Sequence, residues 1–499
     1  MRKPIYLDYM ASTPIDPWVR EQMQVAMGVF GNPSSLHAAG CEAAALVEQA
    51  RAQVAEAIAA EPEAVFWTSG ATESNNLAIQ GAAYFYARQG KHMITMQSEH
   101  KAVTRVMAGL ESDGFDVTYL RPGENGLIDL AELEASCRSD TRLISVMWVN
   151  NETGVIQPIK EIACIAKRLG VLLHVDAAQA LGKVAINLKK IPVDLLSLAA
   201  HKYYGPKGVG VLYVRQNPLI RLQSVFFGSR QEGGIRPGTV ATHQVVGMGA
   251  ACTFAKNQAD ECKRIQALKD RLVSGLKRLS GVGFYAESSP VVSHCVPFFV
   301  QDIAITALLE RVSDLMIATG SACNSATLEP SSVLLSMGID PIQAYNSGRI
   351  SLGRYTTEAE IDQVIRRFSE ELVYLRGVSP VLKERVLPVA PYLHAYELKN
   401  ATHRVGWESQ TENARFVLFL RVEALVVQEF SFLVRGSPIW FSALESFSSE
   451  FAGSSFNELS YLTLEKLMQV LKLSDKTAHV AYALLSSIKN LVNHEEKSM

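Results

Sequence analysis

A chain of 499 residues, 48% hydrophobic and 20% charged, is too long for one simple core and too apolar for extensive disorder. Its 48 basic residues against 50 acidic ones supply no global field toward nucleic acid or an anionic membrane, so neither is an expected partner. The seven cysteines contain no C-x-x-C pair, which argues against a zinc ribbon or a disulfide framework, and no metal site is expected.

The opening M-R-K-P-I-Y-L-D-Y lacks the apolar run of a signal peptide, so a cytoplasmic protein is expected. From about residue 40 to 255, short apolar runs alternate with amphipathic helical stretches. The segments A-V-F-W-T-S, H-M-I-T-M-Q, L-I-S-V-M-W-V, V-L-L-H-V-D, D-L-L-S-L-A-A and V-G-V-L-Y-V read as buried strands. Leu130–Cys137 and Ile159–Leu169 have helical spacing and connect successive strands, which predicts an α/β domain around a mostly parallel sheet, over about 16–254.

From about 255 the pattern changes to a long polar helix, short strands, a glycine-containing loop and a last helix over Thr357–Leu375. This predicts a smaller α+β domain made of residues 1–15 and 255–383. The proline-marked stretch P-V-L-K-E-R-V-L-P-V-A-P follows, and residues 384–499 read as a mainly helical extension. Within it, Phe416–Val434 is interrupted by Arg421, Glu423 and Glu429, which suits a buried helix better than a membrane span. Leu462–Leu485 has the spacing of two amphipathic helices joined by a turn, but the basic footprint of a DNA-binding motif is missing.

The chemistry-bearing residues sit where apolar runs end. Lys202, in L-A-A-H-K-Y-Y-G-P-K-G, lies between a strand and a glycine-rich turn. A partly desolvated amine there can form a Schiff base with an aldehyde cofactor, although a lone lysine in a turn is more often a solvated surface residue. Asp176 ends V-L-L-H-V-D, where a buried carboxylate needs a cationic or hydrogen-bonding partner; a protonated pyridine nitrogen is one, and a helix N-cap role is the alternative. T-S-G-A-T-E-S follows a strand and opens a helix, so its backbone N–H groups can hold a phosphate. An amine, an acid and an anion cradle are three requirements of one cofactor, pyridoxal 5'-phosphate. His100 after H-M-I-T-M-Q can lay its ring over the cofactor, and Asn151 and Gln179 can reach its ring oxygen.

The motifs Y-L-D-Y-M-A-S-T-P, F-G-N-P-S-S-L-H, T-S-G-A-T-E-S-N-N-L-A-I, E-H-K-A-V, V-N-N-E-T-G, H-V-D-A-A-Q, H-K-Y-Y-G-P-K-G and G-S-A-C-N-S-A-T-L-E-P-S occur in that order over about residues 4–375. Together they resemble the cysteine desulfurases of the NifS/IscS type, in the fold-type I, class V aminotransferase-like group of pyridoxal-phosphate enzymes. The resemblance implies a homodimer that converts L-cysteine to L-alanine and passes the sulfur, through a persulfide on Cys323, to an acceptor protein for iron–sulfur cluster assembly or thiolation. It implies Lys202 as the Schiff-base lysine, His100 as the stacking and acid–base residue, and Ala71, Thr72, His201 and Thr239 of R-P-G-T as phosphate contacts. Arg349 would clamp the substrate carboxylate, with Asn151 helping to orient it.

Three departures stand out. Ala199 replaces a hydroxyl residue, at the cost of one hydrogen bond worth roughly 0.5–1.5 kcal/mol. F-F-G-S-R-Q-E-G-G replaces a glycine-rich approach to R-P-G-T, and S-H-C-V-P-F-F-V-Q-D has drifted from the family pattern. A selenocysteine lyase, or a weakened homologue that presents its extension to a partner, are the alternative readings.

Overall fold

The computed structural model describes residues 4–377 apart from 217 and 320–329, then 403–409, 414–423, 426–435 and parts of 444–489. Strand β1 (Ile5–Tyr6) precedes helices α1 (Pro17–Met27) and α2 (Ala38–Ile58). Strands β2 (Val65–Thr68), β3 (His92–Met96), β4 (Asp116–Leu120), β5 (Thr141–Met147), β6 (Leu172–Asp176), β7 (Leu195–Ala199) and β8 (Gly210–Val214) form one seven-stranded sheet. Its order is β2-β8-β7-β6-β5-β3-β4, and only β8 runs antiparallel to its neighbours. The six strands expected from sequence are all present. β4 was not among them, because D-V-T-Y-L starts on a charge and lacks a continuous apolar run.

Connecting helices α3 (Ala71–Tyr86), α4 (Lys101–Ser112), α5 (Leu130–Ser136) and α6 (Ile159–Leu169) cross between the parallel strands, and α7 (Thr242–Cys252) follows the sheet. The alternation of a strand sends neighbours to opposite faces. Met93, Leu143, Leu195 and Leu212 join a core with Leu77 and Val103 of α3 and α4. Ile94, Ile144, Leu196 and Val211, each the immediate neighbour of one of these strand residues, join the opposite core with Val47, Ile162 and Val245 of α2, α6 and α7. Both faces are covered, which explains why these strands are apolar at consecutive positions.

A second core gathers Ile5 and Leu7 with residues between Ile265 and Leu372. Its elements are α8 (Gln258–Leu276), β9 (Val282–Phe284), β10 (Cys295–Val300), α9 (Ile305–Arg311), β11 (Leu315–Met316), β12 (Ala318–Thr319), α10 (Ser332–Ser336), α11 (Pro341–Tyr345), β13 (Ser347–Ser351) and α12 (Glu358–Gly377). The sheet β12-β13-β10-β9 is antiparallel throughout, and β1 pairs in parallel with β11.

The described residues divide into two compact units, the body above and one formed by the remainder of the chain. The second unit holds both strands and helices among its described residues, and it corrects the expectation of a helix at Phe416–Val434. β14 (His403–Ser409), β15 (Ala414–Glu423) and β16 (Val426–Arg435) form a three-stranded antiparallel meander, so Phe416–Val434 is a hairpin and not a helix. The reason is the period of the pattern. Register pairs Phe416 with Val434, Leu418 with Phe432 and Leu420 with Phe430, while the interrupting Arg421 lies opposite Glu429. The charges that break a helical reading therefore fall into step with a strand period of two. Helix α13 (Leu464–Val470) is capped by the Thr463 side chain and realises the first half of the helical pair expected at 462–485. No helix among the described residues is long and apolar enough to cross a membrane.

Candidate active site

The large sheet brings the ends of β3, β6 and β7 to one place. Asp176 is the last residue of β6 and only 6% exposed, and each oxygen of its carboxylate accepts a hydrogen bond. One oxygen accepts from Asn75 Nδ2 at 2.7 Å and the other from the Ala178 amide at 2.9 Å. The Ala178 contact is a turn bond, so the capping role weighed for this residue is real, yet Asn75 reaches it from a helix 101 residues away. His100 caps α4, its Nδ1 accepting from the Ala102 amide at 3.1 Å, which leaves the ring hydrogen on Nε2. Burial lowers the His100 pKa, with Asp176 opposing and Lys202 adding to the effect, so all three sequence-predicted groups share one electrostatic environment.

Lys202 ends the short helical turn after β7, and its Nζ donates to the Met10 and Ala11 carbonyls at 2.9 and 2.8 Å. The strap that supplies those carbonyls is fastened to the same turn. Thr13 donates to the His201 carbonyl through its amide and its hydroxyl, both at 2.9 Å, and its hydroxyl accepts from the Tyr204 amide at 2.7 Å. His201 itself meets Ser12 Oγ at 3.2 Å; burial first, then the nearby lysines, push its pKa down to about 4, so it is a neutral hydrogen-bonding imidazole at pH 7. Gln179 donates to the Met10 carbonyl at 2.7 Å and accepts from Lys183 at 3.0 Å. Ala199 is buried at the end of β7, paired with Gly210.

The anion cradle is built by close approach. Gly70, at φ +152°, precedes Ala71 and Thr72 at the start of α3, where the first amides lack intrahelical partners. A Cβ on Gly210 would lie 2.6 Å from the Gly70 Cα, so the neighbouring strand can pass this turn only as glycine. Glu73 accepts from the Ser69 amide at 2.8 Å and from Arg236 at 2.8 Å, which ties the segment bearing Thr239 to the first turn of α3. Glu73, Arg236 and Thr239 line one cavity of about 550 Å³ together with Phe226 and Phe227.

On the side of β13, Arg349 is 4% exposed; it donates to Asp8 at 2.6 Å and to the Asn151 carbonyl at 2.5 Å. Two buried atoms here have no partner, the Asn151 Oδ1 acceptor and the Arg349 Nε donor. A ligand carrying both a carboxylate and an amine satisfies such a pair. Neighbouring Glu152 takes a hydrogen bond from the Ser331 hydroxyl, and burial pushes its carboxyl up to about 7.

Sequence reading missed Asp8, Asn75, Glu99 and Lys183. All lie in or beside the motifs that carried the resemblance, but the partners of Asp8, Asn75 and Glu99 are far along the chain. Glu99 accepts from the Met147 amide at 2.7 Å, and burial together with the Asp176 charge raises its pKa well above the carboxylate range, so it is a neutral acid. Cys323 lies outside the described residues. Of the cysteines that are described, burial pushes the thiols of Cys295 and Cys252 up to about 11 and 12, which makes them poor nucleophiles at neutral pH.

Residues 5–364 match the model of the aminotransferase class-V family. The chain is a class-V aminotransferase family member of the NifS/IscS type. It is 49% identical over 385 residues to a cysteine desulfurase IscS of Dechloromonas aromatica (strain RCB), an alignment covering 76% of this chain and 95% of the relative. A cysteine desulfurase IscS of Vibrio vulnificus (strain YJ016) is 48% identical over 386 residues, covering 76% and 96%. Among solved structures, a NifS-like protein superimposes with a TM-score of 0.70 at 34% identity, over 74% of this chain and all of that one. SspA in complex with cysteine does so with a TM-score of 0.63 at 35% identity, over 70% and 99%. Class-V members of this type depend on pyridoxal phosphate, and the donor set fits it: a buried acid for the ring nitrogen, helix-start amides for the phosphate and an amine for the aldehyde. The family match ends before the extension.

Proposed function

We propose that this protein is a pyridoxal-phosphate-dependent cysteine desulfurase that converts L-cysteine to L-alanine and passes the sulfur through Cys323 to an acceptor protein in iron–sulfur cluster assembly or thiolation. The convergence of Lys202, His100 and Asp176, in a chain 49% identical to IscS desulfurases, carries this reading. When bound, the cofactor supplies an aldehyde for amine exchange and a ring that withdraws electrons.

The chain's own groups do the rest. Asp176, braced by Asn75, holds a proton at the ring nitrogen. Lys202 anchors the aldehyde and carries protons to and from the substrate; the Met10 and Ala11 carbonyls receive its amine. His100, neutral by burial with its hydrogen on Nε2, stacks on the ring and is able to donate or accept a proton. Ala71, Thr72, His201 and Thr239 hold the phosphate. Gln179 and Asn151 address the ring oxygen and the substrate, and Arg349 takes the substrate carboxylate. Phe227, almost wholly exposed beside Thr239, supports a homodimer in which this rim meets a second copy. The composition supports a cytoplasmic protein that binds neither membrane nor nucleic acid. We assign residues 16–254 to a large domain and residues 1–15 and 255–383 to a small one; the core that gathers Ile5 and Leu7 with residues between Ile265 and Leu372 supports the division, while Tyr9, Met10, Val292 and Cys295 pack into the core of the large sheet.

Loaded protein is expected to absorb near ~420 nm and to release alanine from L-cysteine. Cys323→Ala should bind cysteine and yield no sulfide with dithiothreitol; normal sulfide output would exclude Cys323 as nucleophile. A protein that stays colourless after cofactor is added overturns the whole reading, and faster alanine release from selenocysteine turns it toward a lyase.

A further inference from the structure

Lys183 is a buried amine to which the mechanism assigns no task. It lies one residue beyond Gly182, whose φ of +74° and approach to Tyr203 leave room for no side chain: a Cβ there would sit 1.8 Å from the Tyr203 ring. This packing carries Lys183 against the turn of the Schiff-base lysine. Its Nζ donates to Gln179 Oε1 at 3.0 Å and to the Lys202 carbonyl at 3.4 Å. Burial, and then the charge of Lys202, push the amine down to about 7 from its usual value. Cys262, Cys295 and Arg349 also act on it, and its own charge in turn helps to lower the pKa of the His201 and His294 imidazoles.

Gln179 is 4% exposed, so its amide has to be satisfied from inside the protein. An amide can be placed two ways round, and here both ends agree on one. The Met10 carbonyl can only accept, so it requires the Nε2 end, which it meets at 2.7 Å. The Lys183 amine donates to two carbonyl oxygens and, in its protonated form, can only donate, so it too selects the Oε1 end. Turning the amide over would set donor against donor and acceptor against acceptor at the two ends. Nε2 has two hydrogens, and Met10 takes one.

We infer that Lys183 is a positioning residue: by holding the Gln179 oxygen and the Lys202 peptide together, it keeps the second Gln179 N–H directed as a donor to the ring oxygen of the bound cofactor. The inference rests on the desulfurase reading for the presence of that ring. It ties in one network the residue that bonds the cofactor aldehyde and the residue that tunes the oxygen beside it, through groups that no local sequence pattern connects.

A donor on the ring oxygen withdraws its negative charge and so makes the adjacent protonated nitrogen easier to deprotonate. Losing the donor therefore moves the pH midpoint of the visible absorption band upward. The test is a spectrophotometric pH titration of the loaded full-length protein, with cofactor affinity measured on protein freed of cofactor. Lys183→Met is expected to raise the midpoint by about one pH unit and to weaken cofactor binding roughly five-fold. Lys183→Arg, which keeps the donor, should retain the wild-type midpoint. Gln179→Leu should reproduce the upward shift, and adding Lys183→Met to it should shift the midpoint little further, because the two act as a unit. An unchanged midpoint in Lys183→Met, or shifts that simply add in the double variant, overturns the role. If Lys183→Met does not fold, Lys183→Leu, which likewise carries no donor, must show the upward shift, and a wild-type midpoint there overturns it equally. Failure of the cofactor reading looks different: the wild-type protein then has no visible band to titrate.

Discussion

The floor of the site and its rim are built on opposite terms. On the floor, Asp176, Asn75 and Glu99 are almost entirely buried, and every charge they carry is matched within one chain or removed by protonation. On the rim, Phe227 is 99% exposed and Thr239 stands open beside it, although Arg236 and Glu73 anchor their segment. A floor of this kind needs only correct folding of one chain. A rim of this kind is open, and in the proposed homodimer a change there should act on assembly and leave folding alone.

The largest break in the contrast is expected from Asp176→Ala. It leaves the Asn75 and Ala178 donors unpaired and the ring nitrogen without its acid. Removing one partner of a buried charge pair costs about 3–5 kcal/mol, so cofactor affinity should fall by roughly 10²-fold or more, read by titrating pyridoxal phosphate into the apoprotein.

Glu152 tests the floor through pH. Its folded pKa, pushed up to about 7, lies above the ordinary carboxylate value, so the folded state binds the extra proton. Stability is then greatest while the group is protonated in both states and declines as pH rises from about 4.5 to about 7. The loss is at most about 3 kcal/mol. Glu152→Gln should flatten that part of the denaturation profile of the apoprotein; an unaltered slope would show that the carboxyl is not held up by the fold.

The smallest effect on stability belongs to the rim. Phe227→Ser should change the unfolding free energy of the chain by no more than about 0.5 kcal/mol while weakening self-association several-fold on dilution, as followed by sedimentation. A large loss of stability with unchanged association would reverse the contrast between rim and floor.

Much of the site was legible because its residues stand at the ends of apolar runs. Lys202, Asp176 and His100 each follow a buried strand, and the structure puts them in one electrostatic environment. Asn75 could not be read as a partner of Asp176, nor Asp8 as the partner of Arg349, since those pairs are 101 and 341 residues apart and nothing local encodes them. The hairpin at 414–435 was misread for a different reason. A continuous apolar run with scattered charges fits two periods, and only the pairing of β15 with β14 and β16 selects the period of two.

The sequence by itself determined the class of fold and the cofactor, because ordered motifs and strand-end placement are properties of the chain. Tertiary structure alone decided which way round Gln179 lies, that Glu99 is a neutral acid, and that Lys183 touches the peptide of Lys202. Protonation states and amide orientations depend on burial and on donors and acceptors brought together from distant segments, and a linear pattern contains neither.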